Sequence, residues 1–208
     1  MASSSYRSPD HWTLKALKEG YPARSVYKLK EIDEKFKLIP VHGTKVGAIL
    51  DVGAAPGSWS LYVLRKLAGK GFLTAVDLSP LSRSYDKGLF DGKNFSFIQG
   101  DVCDPTIRAQ VLKKGPYELI ISDVAPATSG NRSVDTLRSL ALVEEVLAIA
   151  GEVLAPGGNL VVKVFQGGDT KSALDAIKAT FKQARAFKPE ACRNESFETY
   201  YLGLGKNP

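Results

Sequence analysis

Two cysteines and two histidines are all that the 208 residues contain, and that scarcity removes whole classes of chemistry. Cys103 and Cys192 lie far apart and form no CxxC pair, so neither a disulfide framework nor a thiol redox motif is expected. His11 and His42 have no Cys or His neighbour at ligand spacing, so no metal site is expected. No apolar run approaches the roughly 18 residues of a membrane span, and no membrane partner is expected. The first residues, Met1 to Arg7, lack the apolar stretch of a secretory signal. Together with reduced thiols this predicts a cytoplasmic protein. There is no internal repeat, and the short serine run at the start is the only low-complexity stretch.

What is present is ordinary globular composition, 44% hydrophobic and 24% charged, in a length that suits one sizeable α/β domain. The net charge is +6. Much of the excess lies early, where Arg7, Lys15, Lys18, Arg24, Lys28, Lys30, Lys35, Lys37 and Lys45 outnumber Asp10, Glu19, Glu31, Asp33 and Glu34. Residues 1–45 therefore read as a basic arm and helix attached to a core over 46–208. The basic balance fits a solvated surface, or a phosphate-binding face for nucleic acid.

Periodicity predicts the elements. A helix is expected over 23–36, with Val26, Leu29, Ile32, Asp33 and Phe36 spaced by threes and fours. Pro40, Gly43 and Gly47 mark a loop. Strands are expected at Ala48–Val52, Phe72–Asp77, Phe95–Gln99, Glu118–Ser122 and Asn159–Phe165. Helical candidates at 58–68, 80–88, 105–114 and 135–155 separate them, the last stopped by Pro156-Gly157-Gly158. Such alternation implies a parallel sheet covered on both faces. A further helix over 170–184 precedes two closing runs, Arg185–Lys188 and Thr199–Leu204, expected to pair antiparallel. The expected fold is a Rossmann-like, mostly parallel seven-stranded sheet ending in an antiparallel hairpin.

Asp51-Val52-Gly53-Ala54-Ala55-Pro56-Gly57 joins a strand to a helix. Its small residues let the backbone approach a ligand, although a tight connection alone explains them equally. The segment matches neither GxGxxG nor the P-loop. Asp77 and Asp101 end the next two strands. There they can accept from ribose hydroxyls and from an adenine amino group respectively, or each can cap a helix. Three such features in order, each at a strand's carboxyl end, favour a nucleoside site.

With these residues in view, the chain resembles the FtsJ/RrmJ (RlmE) family of ribose 2′-O-methyltransferases. The resemblance rests on DVGAAPGSW at Asp51–Trp59, Ser122-Asp123-Val124-Ala125-Pro126 and Lys163-Val164-Phe165-Gln166-Gly167. It extends to Ala23-Arg24-Ser25-Val26-Tyr27-Lys28-Leu29 and to Ser196-Phe197-Glu198-Thr199-Tyr200-Tyr201. The resemblance implies S-adenosylmethionine (SAM) as cofactor, S-adenosylhomocysteine as product and no metal. It implies cofactor contacts at Gly57, Trp59, Asp77, Asp101 and Asp123, to which the surrounding turn residues Gly53, Ala55, Pro56, Leu78 and Val102 are added. It further implies a catalytic set of Lys28, Asp123, Lys163 and Glu198, with Glu195 as a neighbouring candidate for the last place. Ser58 stands where many relatives have glycine. The implied acceptor is RNA, first a uridine of 23S ribosomal RNA in the large subunit, with transfer RNA second. A small-molecule or protein methyltransferase, or a non-catalytic RNA-binding module, is a competing class. Nothing in the sequence demands more than a monomer.

Each catalytic candidate also has a plainer role. Lys163 can be an edge-strand lysine, Lys28 a solvated helix lysine, Asp123 a turn former and Glu198 a surface partner of Arg193. If functional, Lys163 either takes the acceptor's proton as a neutral base or, charged, orients the oxygen. Arg132, in the loop Ala127–Ser133, is expected either to reach a phosphate or to sit in an ordinary exposed connection.

Overall fold

Burial along the strands splits cleanly by parity. In β1 (Ala48–Val52), Leu50 and Val52 join one apolar cluster while Ile49 joins another, because successive side chains of a strand point to opposite faces. The same division separates Val76 from Leu73 in β2 (Phe72–Asp77) and Ile120 from Leu119 and Ile121 in β4 (Tyr117–Ser122). In β5 (Leu154–Phe165) it separates Val162 from Val161. A sheet apolar on both faces needs two covering layers. Each fully buried aliphatic side chain contributes roughly 1.5–3 kcal/mol.

One face is covered by α4 (Pro105–Lys113), α5 (Arg132–Val153) and α6 (Thr170–Thr180), through Val111, Val143, Val146, Ile149 and Ile177. The other is covered by α2 (Val26–Phe36) and α3 (Ser58–Leu67), through Leu29, Ile32, Trp59, Leu61 and Leu64. The short α1 (His11–Lys18) packs its one buried residue, Ala16, with Val26 and Tyr27. Its N-cap Asp10 accepts from Thr13 N at 2.9 Å and also pairs with Arg24. In this computed structural model the described residues are 9–39, 47–167, 170–193 and 196–208. The expected loop marks Pro40 and Gly43, the cations Arg7 and Lys45, His42 and the candidate Glu195 lie outside them.

The sheet order is β3-β2-β1-β4-β5-β7-β6, with β3 (Phe95–Gln99), β6 (Phe181–Phe187) and β7 (Glu198–Lys206). The pairings from β3 through β5 are parallel, and β7 runs antiparallel to both β5 and β6. The order reverses between β1 and β4. Crevices at such switch points, outside the strands' carboxyl ends, are where open α/β sheets bind ligands.

Several expected elements are corrected. The helix expected at 80–88 is absent; bends and a single 3₁₀ turn, Leu89–Asp91, replace it. Ser82 N bonds the Pro56 carbonyl at 3.0 Å instead of a helical partner, and Leu81 and Tyr85 pack onto the α2–α3 cluster. Tertiary contacts thus override a weak periodicity. The helix expected to reach residue 184 ends at Thr180, because Phe181 pairs with Lys206 as a strand residue. The long helix starts three residues earlier than expected, at Arg132, behind Asn131, whose side chain accepts from Ser133 N and Val134 N. The helix α1 was not expected from the sequence.

Candidate active site

A cavity of about 950 Å³ opens at the carboxyl ends of β1, β2, β3 and β4. Val52, Gly53, Ala55 and Pro56 of the Asp51–Gly57 segment line it. Gly53 has φ of 77°, and a Cβ there would stand 2.6 Å from the Val124 Cα. Only glycine permits both this backbone and the approach of the β4 loop. Among the expected cofactor residues, Gly53, Ala55, Pro56, Asp77, Leu78, Asp101, Val102 and Asp123 line the cavity.

Neither acid at the strand ends caps a helix. Asp77 accepts from Ala55 N at 2.9 Å and Ser79 N at 2.8 Å, which fixes the carboxylate against the turn. Asp101 accepts from Cys103 N at 2.9 Å, while Asp104 is the N-cap of α4. Each oxygen of these carboxylates has capacity to accept a further hydrogen bond.

Gly57 and Trp59 do not line the cavity. A Cβ on Gly57 would meet Phe90 at 2.9 Å, so this glycine serves packing of the turn. Trp59 is 2% exposed, and its Nε1 donates to the Ser25 carbonyl at 2.8 Å. Its ring lies 5.8 Å from that of Tyr200.

The four expected catalytic residues converge from four elements. Lys163 lies on β5, an interior strand, and is 7% exposed, so it guards no sheet edge. Its Nζ stands 3.1 Å from Asp123 Oδ1 and donates to the Asp123 carbonyl as well. Lys28 on α2 is also withdrawn from solvent, with its Nζ 2.7 Å from Glu198 Oε1. Glu198 opens β7 and is 8% exposed; its ion-pair partner is Lys28. Arg193 lines a cavity together with Lys28 and Glu198.

Electrostatics binds the pairs together. Burial opposes ionisation of Asp123, but the ammonium groups of Lys163 and Lys28 and the donated Tyr200 hydroxyl outweigh it and hold the carboxyl below the usual range. Burial likewise opposes the charge on Lys28, and Asp123 and Glu198 overcome it to raise its pKa. Burial, then Glu198, pushes the neighbouring Cys192 thiol up to about 12, so it stays protonated and unreactive at neutral pH.

Two features escaped the sequence reading. Tyr200 pairs in register with Lys163 across β5 and β7, and its hydroxyl donates to Asp123 Oδ1 at 2.6 Å. Position along the closing strand was the available signal. A second cavity of about 450 Å³ lies on the other side of the ion pairs, lined by Arg24, Lys28, Arg193 and Glu198 among others. Ser25 lines both cavities. Arg132, by contrast, sits over the Phe197 ring at 5.1 Å and donates to the Gln166 carbonyl at 3.4 Å.

Comparison with known proteins decides the family. The FtsJ-like methyltransferase description matches residues 21–206. The chain belongs to the FtsJ-like methyltransferase family. It is 53% identical over 205 residues to the ribosomal RNA large subunit methyltransferase E of Treponema denticola, covering 98% of each chain. Its fold is similar to that of a Plasmodium falciparum protein assigned as a ribosomal RNA methyltransferase, with TM-score 0.74 and 24% identity over 89% of this chain and 98% of that one. It is also similar to Aeropyrum pernix fibrillarin, solved with bound S-adenosyl-L-methionine, with TM-score 0.61 and 14% identity over 86% and 76% of the two chains. These likenesses show the fold, a Rossmann-like methyltransferase sheet with an antiparallel C-terminal hairpin. Among the described residues of this FtsJ-like chain, no helix is long and apolar enough to cross a membrane, and no cluster of three or more His, Cys, Asp or Glu could hold a metal.

Proposed function

We propose that this chain transfers a methyl group from SAM to the 2′-hydroxyl of a uridine ribose in 23S ribosomal RNA of the large subunit, releasing S-adenosylhomocysteine. One observation carries the reading: two lysine–carboxylate pairs sit between two cavities of opposite charge. Asp77, Asp101, Asp123, Glu144 and Glu145 line the large cavity against Arg138 and Lys163. That lining suits a cationic nucleoside with ribose hydroxyls to donate. Arg24, Lys28 and Arg193 line the small cavity against Glu198 alone. That lining suits a phosphodiester.

Bound in the large cavity, SAM supplies a methyl group on a sulfonium whose leaving group departs neutral, so the reaction calls for no metal and no general acid. The protein's part is to align the acceptor oxygen and stabilise the charge that develops on it. Lys163 Nζ gives two of its three donors to the oxygens of Asp123 and keeps the third for the acceptor hydroxyl. Lys163 is therefore the orienting donor in this reading; as the O–CH3 bond forms and the S–CH3 bond breaks, the acceptor's hydroxyl proton leaves to water. Asp123 fixes the Lys163 rotamer, and Tyr200 fixes Asp123. Lys28, held by Glu198, faces the RNA side. Asp77 and Asp101 take the cofactor's ribose and base. The whole chain acts as one methyltransferase domain, a cytoplasmic monomer whose catalytic set comes from a single chain, with 1–45 contributing basic RNA contacts.

The test offers labelled SAM with intact large-subunit particles, naked ribosomal RNA, bulk transfer RNA and protein. Label in 23S RNA is expected. Incorporation into transfer RNA alone would move the target within the same chemistry, and incorporation into protein alone, or nowhere, would overturn the reading.

A further inference from the structure

Ser25 holds the one place where the two cavities meet. It lines both of them, immediately before α2, the helix that carries Lys28. Its backbone is fixed from two directions: Trp59 Nε1 donates to its carbonyl at 2.8 Å and Lys28 N does so at 3.0 Å. Trp59 in turn packs by Tyr200, which binds Asp123. The Ser25 position is thus tied to the position of Lys163 through buried side chains. Its hydroxyl makes no capping hydrogen bond to α2, so among the described residues both donor and acceptor remain unspent. The half-buried hydroxyl is thus open to bond a ligand that reaches the junction of the two cavities.

The charge around it selects that ligand. On the large-cavity side acids predominate and would repel an anion. On the small-cavity side Arg24, Lys28 and Arg193 outnumber Glu198 and Asp10, the partners of Lys28 and Arg24, so a net positive charge remains to attract one. Resting on the proposed function, we propose that the Ser25 hydroxyl donates to the RNA phosphodiester on the 3′ side of the acceptor ribose. That phosphate adjoins the 2′-oxygen, so gripping it sets the distance from the acceptor oxygen to Lys163. Ser25 is an RNA-contacting residue, and Trp59 is the positioning residue behind it.

The experiment compares wild type, Ser25→Ala and Ser25→Thr in methyl transfer from labelled SAM to large-subunit particles, with SAM binding measured separately by calorimetry. Loss of one hydrogen bond to an anion predicts roughly a 10- to 100-fold higher KM for RNA in Ser25→Ala. SAM affinity should stay within about twofold, and Ser25→Thr, which keeps the hydroxyl, should restore the KM. An unchanged RNA KM in Ser25→Ala would overturn the proposal. So would weaker SAM binding with RNA KM unchanged, because the hydroxyl would then serve the cofactor. If wild type itself labels no RNA, the proposed function fails and the Ser25 assignment falls with it, whereas wild-type labelling with an unchanged Ser25→Ala KM overturns the Ser25 assignment alone.

Discussion

The two cavities share Ser25 and are separated by two ion pairs, yet they are built oppositely. The large one is lined by a strand-to-helix turn and by strand-end carboxylates. The small one is walled by α2 and by the segment before β7, and its charge is cationic. The difference shows that one basic protein can hold a cationic small molecule and an anionic polymer side by side. A net charge of +6 says nothing about either site alone. The lysines at the boundary belong to both fields, which is why Asp123 feels Lys28 as well as Lys163.

The contrast can be broken most severely at the boundary. Lys163→Ala should lower kcat by at least about 100-fold, the scale of losing one donor to a developing oxyanion. SAM affinity, read by calorimetry, should remain within about twofold. Undiminished turnover would remove Lys163 from the mechanism. Asp77→Ala strikes only the acidic side. It should weaken SAM binding by about 10- to 100-fold through loss of charge-assisted hydrogen bonds, and leave the RNA KM unchanged. Salt strikes the cationic side. Raising it from about 50 to 200 mM should raise the RNA KM by roughly tenfold or more if three phosphates are contacted, with little effect on SAM.

The smallest expected effect concerns the cost of gathering acids at one end of the sheet. Asp51 is fully buried, with one oxygen accepting from Ser60 Oγ at 2.6 Å and the other lacking a partner among the described residues. Burial, with Asp123 and Asp77 adding repulsion, pushes its pKa up from 3.8 to about 7. An acid raised on folding contributes stability that is complete below its unfolded pKa and is lost as pH rises through the folded one. The melting temperature should therefore fall by a few degrees between about pH 4 and pH 7 on this account. Asp51→Asn should flatten that slope, and an unaltered slope would show that Asp51 does not titrate there.

Local chemistry made the acidic side legible in the sequence. The Asp51–Gly57 segment begins at the end of β1, Asp77 ends β2 and Asp101 comes just after β3, and the structure keeps those strand limits. The cationic side was legible only in part, because it is assembled from residues distant in sequence. The Lys28–Glu198 pair spans 170 positions and came from family resemblance, not from any periodicity. Ser25 and Tyr200 lie within motifs that carry the family resemblance, but their places in the site show only in three dimensions: one is defined by the meeting of two cavities, the other by strand register. Among the elements, α1 escaped because eight residues with a single buried side chain leave little pattern; Asp10 with Arg24, and the Trp12 ring tilted against that of Tyr27, hold it. The region after Asp77 misled for the converse reason. Its apolar residues suit a helix, but Ser82 gives its N–H to Pro56.

The central claim is that methyl crosses from the acidic cavity to a ribose oxygen held beside Lys163. Labelled RNA from the wild-type reaction, hydrolysed in alkali, tests it directly. A 2′-O-methyl group blocks attack on the adjacent phosphodiester, so the label should appear in an alkali-stable dinucleotide. Label recovered in mononucleotides would place the methyl on a base and contradict the account.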